Sequence, residues 1–138
     1  MDTVVETIGI EWDQERLAHH ARPAGLAAAG VFRPAGARMK KFTDAHRGFA
    51  AAGKRVQGLA KQYEEEGRLI PARESYITAS LLWSAARWPL YEIDDLYRDY
   101  ESQIITCYDK YVELANICFL PIGYLIFYGK VEINIIVN

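Results

Sequence analysis

Residues 42–63 read FTDAHRGFAAAGKRVQGLAKQY. Phe42, Ala45, Phe49, Ala52, Val56, Leu59 and Tyr63 recur at spacings of three and four, which puts them on one face of an amphipathic helix. Thr43 or Asp44 can cap its start, and Gly67 can take the left-handed conformation at its end. Lys40, Arg47, Lys54 and Lys61 fall seven apart on the opposite face. The apolar stripe demands a partner, and the chain on its C-terminal side supplies two.

The second helix is expected to start near Pro71, whose missing N–H and fixed φ suit a first turn. Leu69, Ala72, Tyr76, Ala79, Trp83 and Ala86 form one stripe, and Ile77, Leu81, Ala85 and Trp88 a second. A helix apolar on two sides is sandwiched between neighbours. Pro89 pushes Trp88 toward extended geometry and ends it. A third helix runs from about Ile93 to Ala115 on the stripe Ile93, Leu96, Tyr100, Ile104, Cys107, Tyr111 and Leu114, with Asp94 and Asp95 favouring its N-terminal dipole. Short connections make the neighbours antiparallel.

Working outward, residues 1–38 are weakly patterned. A short helix could occupy 13–21, and Pro23, Gly25, Gly30, Pro34 and Gly36 mark 22–38 as an irregular connection. Residues 116–138, NICFLPIGYLIFYGKVEINIIVN, lack the Ala and Arg of the preceding chain. They read as strands around 123–128 and 130–137 turned at Gly129–Lys130, or as a foreign segment from a frameshift or junction. A membrane span is not expected, because the uncharged run 116–129 is short of the roughly 20 apolar residues needed and holds Pro121 and Gly123.

The expected fold is therefore mostly α: an antiparallel helical hairpin or three-helix bundle with a short C-terminal β-hairpin-like tail. The parts are a weakly structured segment 1–38, a helical domain 39–115 and a hydrophobic tail 116–138.

The 138 residues leave room for one domain. Apolar residues at 51% and charged residues at 25% describe a globular chain, and a net charge of −2 gives no global drive toward nucleic acid or anionic membrane. Residues 33–61 hold eight Lys or Arg against Asp44 alone. These charges oppose the apolar stripe without interleaved stacking aromatics, so solvation explains them and no nucleic-acid partner is expected. Cys107 and Cys118 make no disulfide framework, and the N-terminus lacks a secretory pattern, so a reducing cytoplasm is expected.

No nucleophile elbow, phosphate-binding glycine loop or metal motif is present in the sequence. His19 and His20 point roughly 100° apart on a helix and cannot share a metal. His46 reads as a surface histidine, Glu64, Glu65 and Glu66 as a solvated helix end, and Cys107 as a buried inert thiol. No catalytic residue, metal or cofactor is assigned. The aromatics Trp83, Trp88 and Tyr91 are core candidates first, and otherwise candidates for the wall of a substrate cleft.

Leu59, Ala60, Tyr63, Gly67, Leu69, Ala72, Tyr76 and Ala79 match the small and large positions of one tetratricopeptide repeat. The closing Pro would fall at Ser84, and a single repeat does not make an array. A broader match covers residues 40–115. The run GRLIPARESYITASLLWSAARWPL (67–90), with Tyr108, Tyr111 and Leu114 in CYDKYVELA, resembles the N-terminal helical cap of a group of α/β hydrolases. That group includes 2,6-dihydroxypseudooxynicotine hydrolase and the FrsA-like esterases. Its A-R-E-x-Y-x-x-A-S stretch corresponds to Ala72, Arg73, Glu74, Tyr76, Ala79 and Ser80.

The resemblance implies a cap over a serine-hydrolase cleft, acting on a small-molecule ester, amide or activated C–C bond. It also implies that the nucleophile, acid and His lie in a catalytic domain that would follow Ala115. Here Gly123-Tyr124-Leu125 faintly echoes its start and the chain ends at Asn138, so the expectation is a truncated, inactive cap. The alternative is a stand-alone helical interaction module, with the hydrophobic tail a route to homo-oligomers.

Overall fold

The computed structural model describes residues 21–37 and 44–115. A 3-10 turn at Arg22–Ala24 leads into α1 (Leu26–Ala37), followed by α2 (Ala45–Glu65), α3 (Leu69–Arg87) and α4 (Asp95–Ala115). There is no strand among the described residues. The tail 116–138, for which strands were expected, the segment before Ala21, His19, His20 and Cys118 lie outside them.

Helix α3 is the centre. It packs along both α2 and α4, and α1 lies on α2. The double stripe of α3 explains this. Ala72, Ala79 and Ala86 are fully buried, Tyr76 and Trp83 nearly so, and Ile77 and Ala85 cover the second side. Small residues alternating with aromatics let the backbones approach while rings fill the gaps between layers. Trp88, Leu69 and Ile93, placed on stripes by their spacing, are exposed at the helix ends instead.

The breaks are chemical. Gly67 closes α2 at φ 73°, with Gly67 N–H donating to the Glu64 carbonyl at 3.0 Å and Arg68 N–H to the Tyr63 carbonyl at 2.8 Å. This paired return satisfies carbonyls that the helix end would orphan. Pro71 sits in the first turn of α3, and the helix ends at Arg87, just ahead of Trp88–Pro89. Asp94 Oδ1 accepts the Tyr97 N–H at 2.8 Å and caps α4. Asp44 precedes α2 without a side-chain cap bond.

One expectation is corrected. Residues 22–38 were expected to be an irregular connection, yet Leu26–Ala37 is helical with Pro34 inside it. Packing outweighs the local breakers: Ala28 and Phe32 are buried, and the Phe32 ring lies 5.9 Å from that of Phe49 on α2.

Candidate functional site

Helix α2 carries a second row that an apolar count overlooks. Gly53, Gln57, Ala60 and Glu64 follow each other at helical spacing and turn toward α3 and α4. Because α3 lies between α2 and α4, the two outer helices meet mainly through long polar side chains. Three bridges cross this seam.

At one end, His46 Nδ1 lies 3.3 Å from the Tyr100 hydroxyl. Burial, reinforced by the neighbouring Arg47 charge, lowers the His46 pKa, while Asp44 partly opposes the shift. Burial also raises the Tyr100 pKa, with Asp99 adding to it. In the middle, Trp83 Nε1–H donates to Gln57 Oε1 at 3.2 Å, and Gln57 Nε2–H donates to Gln103 Oε1 at 3.1 Å. At the far end, the Glu64 carboxylate accepts the Tyr76 hydroxyl at 2.6 Å and the Lys110 ammonium at 2.9 Å. Lys110 and then Tyr76 hold the Glu64 carboxyl below its ordinary pKa. Tyr76 is correspondingly raised, first by burial and then by Glu64.

Glu64 is thus a three-helix junction, which corrects its reading as a solvated helix end. The surface reading of His46 is corrected too: it is half-buried and paired across the seam. Cys107 is fully buried, and burial pushes its thiol up to about 11, which leaves it protonated and unreactive at neutral pH.

Around the middle bridge a groove of about 420 Å³ opens. Lys54, Gln57, Gly58 and Lys61 line its α2 wall, Asp99 and Gln103 its α4 wall, and Trp83 lies at the bottom. Gly53 seats the indole, since a Cβ there would fall 3.2 Å from Trp83 Cδ2 and Cε2. The Tyr100 ring lies 5.4 Å from the Trp83 ring.

The three aromatics singled out by the sequence have different surroundings. Trp83 is in the core and borders the groove. Trp88 and Tyr91 sit at the α3–α4 corner, 44% and 85% exposed, and do not line it. The sequence reading missed the amide pair Gln57–Gln103. Its signal was a buried-face position of α2 filled by Gln rather than by an apolar residue.

The residues on which the expected resemblance to hydrolase caps rests take packing and surface roles. Ala72 and Ala79 are fully buried, and Arg73 pairs with Glu74 at 2.7 Å on the surface. The Ser80 hydroxyl donates to the Ile104 carbonyl at 3.1 Å, tying α3 to α4. No helix among the described residues is long and apolar enough to cross a membrane. No protein-family model, curated protein or solved structure matches the chain.

Proposed function

We propose that the helical unit is a non-catalytic cap of the α/β-hydrolase type, whose α3–α4 corner packs on a catalytic domain and helps to close a small-molecule cleft. The observation that carries this reading is the corner itself. Trp88, Tyr91, Ile93 and Leu96 fall within nine residues and are 44%, 85%, 70% and 38% exposed. Large apolar side chains concentrated at one corner favour burial against another protein surface. The cap would exclude water and shape substrate choice, while a separate domain performs acyl transfer. On this reading the protein works in the reducing cytoplasm, with Cys107 a free thiol.

Two measurements test it. The purified chain should not turn over p-nitrophenyl acetate above the buffer rate, and measurable turnover would overturn the non-catalytic role. Source DNA read beyond codon 138 should show a G-x-S-x-G pattern in one of the frames. Its absence would favour the second reading, a stand-alone helical interaction module. That reading is favoured by Ile105 and Tyr108, 55% and 39% exposed on α4.

A further inference from the structure

The α2–α4 groove has a polarity as well as a volume. An indole N–H can only donate. Trp83 therefore fixes Gln57 with its carbonyl oxygen inward and its amide NH2 outward. Gln57 in turn fixes Gln103, whose oxygen is taken by the Gln57 N–H. The relay ends on the Gln103 NH2, a pair of donors without a partner among the described residues.

Two further donors stand beside it. Lys54 and Lys61 occupy the α2 wall two helical turns apart, roughly 10 Å along the axis. Neither makes an ion pair within the described residues. Gly58 lies between them, where an added Cβ would meet nothing within 4 Å. An interior glycine weakens a helix, and no packed neighbour requires this one. It leaves the wall open at the point between the two charges. Asp99 supplies the one carboxylate of the lining, so two ammonium groups face a single anion.

We propose that this groove binds a small organic anion, a carboxylate carried on a flat apolar body. Lys54 and Lys61 hold the charge, the Gln103 NH2 donates to a carboxylate oxygen, and the body lies over Gly58 toward the edge of Trp83. The volume falls in the range of small-molecule sites. Asp99 opposes a long phosphate polymer in the same place. The proposal stands on the groove alone and does not rest on the hydrolase reading.

The test is a titration of the isotopically labelled full chain with naphthoate at constant ionic strength, followed by heteronuclear NMR. The Trp83 indole N–H and the Gln103 side-chain NH2 are expected to shift together and to saturate. Gln103→Glu keeps an oxygen for the Gln57 N–H and removes both donors. It should weaken binding by about tenfold or more with the thermal midpoint unchanged, as should the double variant K54Q/K61Q. Shifts that stay linear in naphthoate, or that neither variant alters, would overturn the site. A short DNA duplex that displaces naphthoate at lower concentration would overturn the assignment to a small anion.

Discussion

Two glycines of α2 separate what a helix gains from what a packed ring loses. Gly53 and Gly58 are both interior to α2, so replacing either by Ala should gain about 1 kcal/mol of helix propensity. At Gly58 the new methyl meets nothing within 4 Å. Gly58→Ala should therefore show the whole gain, a rise of roughly 4–8 °C in Tm for a unit of this size.

At Gly53 the methyl would sit 3.2 Å from Trp83 Cδ2 and Cε2 and 3.3 Å from Nε1. The indole has little freedom to retreat. Its N–H is held by Gln57, and the Tyr100 ring lies 5.4 Å away. Overpacking of this kind costs about 1–3 kcal/mol, which cancels or exceeds the propensity gain. Gly53→Ala should be neutral to about 2 kcal/mol destabilising, and the two variants should differ by about 1–3 kcal/mol. Urea unfolding followed by circular dichroism, with an unchanged m-value, measures both. A Gly53→Ala protein as stable as Gly58→Ala would show that Trp83 does not rest on α2. The groove floor would fall with it.

Two further variants probe the far end of the seam and the core. Tyr76→Phe removes a 2.6 Å hydrogen bond to the Glu64 carboxylate while leaving Lys110 in place, and should cost about 1.5–3 kcal/mol in urea unfolding at neutral pH. Because the Glu64 pKa is lowered on folding, its contribution is present above the ordinary carboxylate range and is lost as pH falls through the folded value. The variant should accordingly flatten the acid side of the stability curve; an unchanged acid slope would refute the junction. Cys107 is shifted the other way, from 9.0 to about 11 by burial, so its contribution is whole below pH 9 and is lost as pH rises toward 11. The loss should be on the order of 2 kcal/mol, read from urea midpoints across that interval. Cys107→Ala should remove part of it, the raised Tyr76 accounting for more; a Cys107→Ala curve parallel to the parent would refute the assignment.

The helices were legible because their apolar periods are long and their ends are chemically marked. Gly67 and Pro89 do what their backbone preferences dictate, and the stripe through Tyr76, Ala79, Trp83 and Ala86 is the core. Helix α1 was not legible, because Gly30, Pro34 and Gly36 argue locally against a helix. Tertiary packing outweighs them, above all the burial of Ala28 and of Phe32, whose ring meets Phe49 seventeen positions away. The polar seam was hidden for a related reason. Gln57 and Gln103 are 46 residues apart, as are Glu64 and Lys110, and each of these side chains alone reads as solvated.

That hidden seam also places the core residue Trp83 at the border of an open groove. Its ring is buried by Gly53 and Tyr100, yet its N–H begins the amide relay that borders the open groove. A buried indole needs a partner for its single donor. Gln57 meets that need, and the unmatched donor pair passes outward to Gln103 at the surface. Satisfying the core thus sets the polarity of the groove. A residue can be structural in its packing and still decide, through a chain of two amides, which charge the surface above it favours.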